Sequence, residues 1–144
     1  NFYGPRAGYS HVIPQLSLRI ANREEPFAMY GTDDTRTFCY IDDAVRAMQM
    51  LMDSTKTDNQ PIETVHIGDL SETPIHNLAE KLFKIAGWKP QNIDIKNSPE
   101  GSVKRRLADI SKLQSLVEWK PKVSLEDGLR NTYEWYKQNP KPKK

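Results

Sequence analysis

Arg36 is the residue of this sequence that is best placed to bind an anion. It lies within residues 31–46, which predict a polar turn, a strand and then a helix capped by Asp42. Because side chains alternate along a strand, Arg36 shares one face with Phe38 and Tyr40, and we expect that face to be half-buried. A partly desolvated guanidinium contributes about 1.5–3 kcal/mol for each hydrogen bond to phosphate. From the residues alone, Arg36 could equally be a diphosphate ligand or part of a structural ion pair.

A second basic group, Lys104-Arg105-Arg106, precedes a helix that Asp109 is predicted to cap. If one of these arginines converges with Arg36, the pair could hold a nucleotide diphosphate in a fixed position. The alternative is that Arg105 and Arg106 are solvated or pair with nearby acidic side chains. The spacing does not decide between these two interpretations.

Two further side chains could act on a ligand. His11 begins a predicted helix, where it is either a surface or packing residue or, beside a carbohydrate, a general acid or hydrogen-bond donor. Tyr30 ends a predicted strand, where its ring either belongs to the core or offers a face on which a base can stack.

Several enzyme classes are disfavoured by missing motifs. The sequence has 7 glycines, and none lies in a GxGxxG or GxxxxGK phosphate-binding arrangement. No set of histidines and cysteines has zinc-ligand spacing, and no GxSxG motif is present. We therefore expect no metal site, and we do not expect a self-contained nucleotide hydrolase or serine hydrolase.

Charge and cysteine usage narrow the class further. The formal net charge is +2, and much of the excess lies in residues 137–144, so we expect no nucleic-acid partner. No apolar run approaches the roughly 18 residues of a membrane span, and no membrane partner is expected. The single cysteine, Cys39, lies in an apolar strand, which predicts a buried thiol and is typical of a cytoplasmic protein.

The hydrophobic pattern predicts about five helices that alternate with four short strands, which favours an α/β fold. The strands are predicted at residues 27–30, 36–41, 64–67 and 93–96. The strand at 64–67 is apolar enough to belong to a larger sheet that this chain does not supply. We expect one domain over residues 1–136 and a basic, flexible tail over residues 137–144.

Capping residues and apolar stripes predict where each helix ends and which face it buries. Ser10, Asp42 and Thr73 are predicted N-caps, and Gly87 is predicted to end a helix. Ser124 is predicted to begin a capping box before the last helix. In the helix after Asp42 the pattern predicts a buried stripe that is formed by Ala44, Val45, Met48, Leu51 and Met52.

An ordered set of short segments carries a family resemblance. The segments are NFYGP at 1–5, SHVIP at 10–14, YG at 30–31, TRTFCYIDD at 35–43, HIG at 66–68, RLADISK at 106–112, WKP at 119–121, SLEDGL at 124–129 and WY at 135–136. Together they resemble the C-terminal, substrate-binding part of the NAD-dependent epimerase/dehydratase family. These nucleotide-sugar enzymes belong to the extended short-chain dehydrogenases/reductases.

The resemblance implies a role for each site residue. Asn1 would lie beside the sugar diphosphate, and Met29 and Tyr30 would flank the base. Arg36 would bind the diphosphate, with Arg105 or Arg106 assisting. The substrate pocket would be lined by the segment that contains His11, Val12, Ile13 and Pro14. In a GDP-sugar branch of the family, the histidine equivalent to His11 is the proposed general acid.

The sequence also departs from the family pattern. In the segment equivalent to Ser98–Ser102, many relatives have an arginine two residues before a Gly-Asp, and that arginine binds diphosphate. Here Ser98 and Ser102 stand at those places. The resemblance further implies that the catalytic Tyr-x-x-x-Lys pair lies in the N-terminal part of the enzyme. We expect Tyr133 and Lys137, on the terminal helix, not to serve as that pair.

The resemblance implies a function shared between two parts of an enzyme. The cofactor, NAD or NADP, would be bound by an N-terminal Rossmann domain that is not present in this chain, and hydride would pass between its nicotinamide and a sugar carbon. This chain would bind the nucleotide-diphosphate sugar and be inactive alone, and the full-length enzyme would be a homodimer. The alternatives are a non-catalytic nucleotide-sugar sensor and a protein-interaction domain.

Overall fold

The computed structural model describes residues 1–57 and 64–140. In this part of the chain the backbone forms five α-helices and a short 3-10 turn at Thr55–Thr57. The helices are α1 (Val12–Ala21), α2 (Ile41–Met52), α3 (Ile75–Ala86), α4 (Ser111–Leu116) and α5 (Leu125–Gln138). Their number agrees with the prediction. Residues 141–144 of the predicted basic tail lie outside the described residues.

Seven short strands form three small sheets in the described part of the chain. The strands are β1 (Phe2–Tyr3), β2 (Phe27–Tyr30), β3 (Thr35–Thr37), β4 (Cys39–Tyr40), β5 (Glu72–Pro74), β6 (Ile93–Lys96) and β7 (Arg105–Arg106). Strand β1 pairs with β4, and β2 pairs with β6, both in parallel. In the third sheet, β3 is central, antiparallel to β5 and parallel to β7. The prediction of an α/β fold is confirmed.

The four predicted strands have different outcomes. Those at 27–30 and 93–96 are confirmed as β2 and β6. The predicted strand at 36–41 is divided into β3 and β4, because β3 pairs with β5 and β7, whereas β4 pairs with β1. Phe38 is the residue at which the chain changes sheets.

The predicted strand at 64–67 is wrong, because these residues form neither strand nor helix. Val65 and Ile67 are partly buried against the side chains of α2 and α4. A strand requires a hydrogen-bonded neighbour, and among the described residues no strand pairs with this segment. Its membership of a larger sheet stays a prediction.

The larger core is enclosed by α1, α3, α5 and the β2–β6 sheet. Its fully or nearly fully buried side chains include Ile13, Leu16, Ile20, Phe27, Leu78, Leu82, Leu129 and Tyr133. Tyr3 of β1 also belongs to this core, and its hydroxyl donates to the carbonyl of Leu125 at 3.4 Å. The Tyr3 ring lies against Gly128 of α5, where a Cβ would overlap it. The absence of a side chain at Gly128 therefore lets β1 approach α5.

A smaller core lies between α2 and α4. Helix α2 contributes the small side chains Ala44 and Ala47, and both are fully buried. Opposite them lie Ile110, Leu113 and Trp119, which are also buried. The small alanines allow the bulky side chains of the α4 region to approach α2 closely.

The predicted buried stripe of α2 is wrong. Ala44 is buried and Leu51 is half-buried, but Val45, Met48 and Met52 are 44%, 46% and 83% exposed. With Ile41, which is 36% exposed, the three exposed residues form an apolar row at helical spacing. We call Ile41, Val45, Met48 and Met52 the α2 stripe. The helical period is correct, but the small alanines on the other side of α2 face the core.

Three predicted N-caps are wrong: Ser10, Asp42 and Thr73. The N-cap positions are His11, Tyr40 and Pro74, and none makes a side-chain capping hydrogen bond. Thr73 is held in β5, and α2 begins directly where β4 ends, so the predicted residues do not lie at the ends of their helices.

Other predicted helix ends are confirmed or nearly so. Gly87 ends α3 in the left-handed conformation, with a φ of 62°. The Ser124 side chain caps α5 by accepting a hydrogen bond from the N–H of Asp127 at 3.1 Å. The Asp109 carboxylate accepts from the N–H of Ser111 at 2.9 Å, although the N-cap position of α4 is Ile110.

Asp43, in the first turn of α2, is a buried carboxylate that joins distant parts of the chain. It accepts hydrogen bonds from the N–H groups of Lys122 at 3.0 Å and Val123 at 2.9 Å, and from Arg46 Nη2 at 2.6 Å. Arg46 Nη2 also donates to the carbonyl of Lys120 at 2.6 Å. Burial alone would raise the pKa of Asp43, but the hydrogen bonds from Val123, Arg46 and Lys122 outweigh it and lower the pKa below its ordinary value.

We predict that Asp43→Ala lowers the free energy of unfolding by about 3 kcal/mol, because it leaves two backbone N–H groups and Arg46 without their acceptor. Asp42→Ala is the matched control, because Asp42 is exposed in the same helical turn. The same carboxylate makes the stability depend on pH. Because folding lowers the pKa of Asp43, its contribution to the free energy of unfolding is complete above the unfolded-state pKa of about 3.9. That contribution is lost as the pH falls through the folded-state pKa. Urea unfolding measures both effects, and equal stability of the two variants would contradict the prediction.

Candidate functional site

A cavity of about 220 Å³ opens between α1, β3 and the residues that follow β6. It is lined by Asn1, Phe2, Tyr3, His11, Val12, Ile13, Pro14, Tyr30, Gly31, Asp34, Arg36, Phe38, Ile75, Pro99 and Ser102. We call it the Arg36 cavity. It brings together seven of the ten residues that the sequence predicts for substrate binding: Asn1, His11, Val12, Ile13, Pro14, Tyr30 and Arg36.

A second cavity of about 400 Å³ adjoins the first. The two share five lining residues: Val12, Tyr30, Ile75, Pro99 and Ser102. Met29, an eighth predicted residue, lines only this second cavity, which also contains Gln15 and Arg19. The Arg19 guanidinium is already engaged by Glu24 at 3.0 Å and by the Ala28 carbonyl at 2.7 Å. The two cavities together form one cleft along α1, with Tyr30 at their junction.

The Arg36 side chain is held firmly in the first cavity. Its Nη1 donates to the carbonyls of Thr35 at 2.8 Å and Lys104 at 3.2 Å. Its Nη2 lies 3.5 Å from Asp34 Oδ2, and the side chain is 15% exposed. Both roles considered for Arg36 are therefore compatible with the structure, since it forms an ion pair and also faces the cavity.

The structure separates the two arginines of β7. Arg105 pairs with Thr35 in the sheet, whereas Arg106 pairs with Arg36. Directly paired residues of neighbouring strands project to the same face of a sheet, so Arg106 lies on the face of Arg36 and Arg105 on the other.

Arg105 is engaged on that other face, where its Nε donates to both carboxylate oxygens of Glu72 at 3.0 Å. This hydrogen bond lowers the pKa of Glu72 and raises the pKa of Arg105. Arg106 is exposed, and among the described residues it makes no side-chain hydrogen bond or ion pair. Neither arginine lines the Arg36 cavity itself. Of the two, Arg106 is the one on the same side of the sheet as the cavity residue Arg36.

Tyr30 is 49% exposed, which excludes a role as a core residue. The Nζ of Lys96 lies 5.8 Å from the centre of the Tyr30 ring, within the range of a cation–π contact. Tyr30 is therefore an exposed aromatic ring beside a cleft, which suits stacking against a planar group.

His11 and Asn1 line the Arg36 cavity and not the second cavity. The N–H of His11 donates to the carbonyl of Gly8 at 3.0 Å, which fixes the backbone at the start of α1. The Asn1 side chain donates to the carbonyl of Thr37 at 3.0 Å. The His11 imidazole is exposed, so it can contact a ligand in this cavity.

The sequence did not single out Asp34 as a site residue. Asp34 Oδ2 accepts a hydrogen bond from Ser98 Oγ at 3.0 Å, and the Asp34 side chain is 13% exposed. One signal was available, because Asp34 precedes Arg36 by two residues and the strand period places both on one side. Ser98 therefore supports this carboxylate through its hydroxyl.

Cys39, Tyr133 and Lys137 lie outside the cleft. The prediction of a buried thiol is confirmed for Cys39, and burial raises its pKa to about 11. Tyr133 and Lys137 are four residues apart, which is the spacing of a Tyr-x-x-x-Lys pair. Burial raises the pKa of Tyr133, and neither residue lines the Arg36 cavity or the second cavity. Their position does not support a catalytic role at this site.

The described residues were also compared with other kinds of functional site. A larger groove of about 780 Å³ lies between α3 and α5, but none of the predicted site residues lines it. Within residues 1–57 and 64–140, no three His, Cys, Asp or Glu side chains are grouped so that they could hold a metal ion. In the same residues, no helix is long and apolar enough to cross a membrane.

Comparison of the sequence with known families gives a match over most of the chain. The model of the family described as GDP-mannose 4,6 dehydratase matches residues 1–132. A putative GDP-L-fucose synthase 2 from Arabidopsis thaliana is 37% identical over 153 aligned residues, which cover 100% of this chain and 45% of that protein. The chain therefore spans about half the length of the curated relatives that it matches.

Solved structures give a consistent result. UDP-glucuronic acid 4-epimerase from Bacillus cereus, in complex with UDP-glucuronic acid and NAD, has a TM-score of 0.86 and 31% identity, over 96% of this chain and 43% of that one. UDP-glucose 4-epimerase from Thermotoga maritima, with UDP-glucose, has a TM-score of 0.83 and 30% identity, over 98% of this chain and 45% of that one. The resemblance inferred from the short segments is confirmed.

The faces of β7 lead to a prediction about anion binding. We predict that Arg106→Ala weakens the binding of inorganic pyrophosphate about tenfold, because one charge-assisted contact on the side of Arg36 is lost. Arg105→Ala removes the same charge from the other face and should change the affinity by less than about twofold. Calorimetric titration measures both, and equal losses would show that only the overall charge matters.

Proposed function

The chain belongs to the GDP-mannose 4,6 dehydratase family, within the extended short-chain dehydrogenases/reductases, and from this premise we propose that it binds the nucleotide-diphosphate sugar of an NAD- or NADP-dependent enzyme. The observation that carries the proposal is the cleft in which the Arg36 guanidinium and the exposed Tyr30 ring lie in one cavity. A cation for the diphosphate and an aromatic face for the base are the two groups that a nucleotide needs first.

The geometry supports one orientation of the ligand. In this orientation the base stacks on Tyr30 and lies beside Met29 in the second cavity, while the diphosphate lies at Arg36. The sugar then extends toward Asn1 and His11, which line the Arg36 cavity but not the second cavity. The exposed His11 imidazole is our proposed general acid toward the sugar. Binding in this position would orient the sugar, and orientation contributes to rate in the complete enzyme.

The described residues do not fit a nicotinamide cofactor, because none of their strands leads through a glycine-rich loop into a helix. We therefore propose that NAD or NADP is bound by a Rossmann domain that is not present in this chain. The α2 stripe supports contact with such a domain, since it is a row of exposed apolar side chains on a helix that the site depends on.

Further parts of the proposal concern the whole protein. We propose that the full-length enzyme is a homodimer, as the family resemblance implies, and that it is cytoplasmic, since the cysteine is a free, buried thiol.

A non-catalytic nucleotide-sugar sensor would use the same cleft without a cofactor domain. A protein-interaction domain would use the α2 stripe and would not bind a nucleotide. The isolated chain is expected to have no oxidoreductase activity under any of these alternatives.

We predict that Arg36→Ala weakens the binding of GDP- or UDP-sugars to the 144-residue chain at least about tenfold, because it removes the charged donor at the diphosphate. Isothermal titration calorimetry with both nucleotide classes measures the effect and also identifies the base. Arg130→Ala is the control, because it removes the same charge from α5, where Arg130 pairs with Glu126.

Two outcomes would overturn this proposal. Absence of nucleotide-sugar binding by the unmodified chain favours the protein-interaction alternative. Equal binding by the Arg36→Ala and Arg130→Ala variants would show that Arg36 does not bind the diphosphate.

The α2 stripe can be tested with a fusion protein. The cofactor-binding half of the Arabidopsis relative is joined to this chain, and we expect one cooperative unfolding transition by calorimetry. Met48→Lys should separate it into two transitions, because a charge is placed in the buried contact. Gln49→Lys, on the exposed surface of the same helix, should leave one transition. If Met48→Lys and Gln49→Lys behave alike, the α2 stripe does not contact the cofactor domain.

A further inference from the structure

Asp34 presents a carboxylate to the Arg36 cavity that the proposed function leaves without a role. Its N–H donates to the carbonyl of Gly31 at 3.0 Å, and its carbonyl accepts from the N–H of Ile75 at 3.0 Å. These backbone hydrogen bonds fix the residue on both sides. The Asp34 side chain is only 13% exposed, so a ligand that fills the cavity would desolvate it further.

The two oxygens of this carboxylate are used differently. Oδ2 accepts a hydrogen bond from Ser98 Oγ at 3.0 Å and lies 3.5 Å from Arg36 Nη2. Within residues 1–57 and 64–140, no protein group donates a hydrogen bond to Oδ1. An ionised carboxylate has about four acceptor positions, so Asp34 retains acceptor capacity while its orientation is fixed through Oδ2.

The carboxylate lies between the two groups that are proposed to hold the nucleotide. A Cβ built on Gly31, the residue after Tyr30, would be 2.8 Å from Asp34 Oδ2. The same oxygen is beside Arg36. Asp34 Oδ2 therefore lies beside Gly31, which follows the proposed base-stacking residue Tyr30, and also beside Arg36, the proposed diphosphate ligand.

In every nucleoside diphosphate the part between the base and the phosphates is the pentose. A carboxylate repels phosphate oxygens but accepts hydrogen bonds from hydroxyl groups, so its chemistry suits the pentose and not the diphosphate. We propose that Asp34 accepts hydrogen bonds from the ribose 2′- and 3′-hydroxyls, and that the site therefore selects ribonucleotides over deoxyribonucleotides. This inference rests on the proposed function of the cleft.

The glycine at position 31 is part of this arrangement. Gly31 has a φ of 56°, and a Cβ there would approach Ser98 Oγ to 2.5 Å. A side chain at position 31 would therefore displace the Ser98 hydroxyl that orients the Asp34 carboxylate. The turn from Tyr30 to Asp34 thus requires a residue without a side chain at this point.

The test compares GDP with 2′-deoxy-GDP and 3′-deoxy-GDP by calorimetric titration of the 144-residue chain. We expect GDP to bind about tenfold more tightly than at least one of the deoxy forms, because a deoxy form leaves the Asp34 acceptor unpaired. In Asp34→Ala this ratio should fall to about one, whatever happens to the absolute affinities. The ratio is informative because a change in the charge near Arg36 affects all three ligands equally.

Asp33→Ala is the matched control. It removes a carboxylate from the same turn, but the Asp33 side chain is 98% exposed and does not line the cavity, so the preference for ribose should persist. If Asp34→Ala does not fold, as judged by circular dichroism, Asp34→Ser replaces it, since serine keeps a polar side chain in the turn.

Each outcome has a separate meaning. If the unmodified chain binds GDP and both deoxy forms equally, the ribose role of Asp34 is wrong, while the nucleotide site stands. The same conclusion follows if the variant keeps the preference. If the unmodified chain binds none of the three, the same comparison is made with UDP and its two deoxy forms. If it binds none of these either, the proposed function itself fails and this inference fails with it.

Discussion

The hydrogen bonds to the Asp43 carboxylate are the constraint on which the position of the site depends. They join the first turn of α2 to the segment at 120–123, and Trp119 Nε1 adds a hydrogen bond of 3.0 Å to the Asp43 carbonyl. A buried carboxylate is costly unless each desolvated acceptor finds a donor, and here two backbone N–H groups and one guanidinium provide them. Because β4 leads directly into α2, fixing α2 also fixes the chain that leads back to Arg36. Arg36 and helix α2 are therefore parts of one continuous segment, β3–β4–α2, and the hydrogen bonds of Asp43 fix that segment.

Much of the fold follows from local signals in the sequence. Gly87, the Ser124 cap and the strands at 27–30 and 93–96 were predictable, because each depends on residues that are close in the chain. The N-caps at Ser10, Asp42 and Thr73 were predicted wrongly, because pairing with distant strands decides where a helix begins. The prediction of which α2 residues are buried was wrong for a related reason. Periodicity identifies an apolar face of a helix, but it does not say whether other parts of the same chain cover that face. The segment at 64–67 has the composition of a strand, but no strand among the described residues pairs with it, so composition alone did not predict its structure.

The candidate site was predicted in part. The residues on α1 and at Tyr30 and Arg36 were predicted from the family resemblance, and the structure brings them into one cleft. Asp34 was missed, since an aspartate in a polar turn is usually explained by turn formation alone. The sequence also left Arg105 and Arg106 equivalent. Only the strand pairing, which is a long-range property, assigns them to opposite faces.

The adjacent arginines of β7 also bear on how this site tolerates insertions and deletions. A shift of β7 by one residue along β3 reverses which side chains point to each face. In most strands such a shift would replace a functional side chain with an unrelated one. Here it would place Arg105 beside Arg36 and bring Arg106 to the side of Glu72, so each face would still carry one arginine. Because two arginines are adjacent in β7, each face of this edge strand carries one arginine in either register.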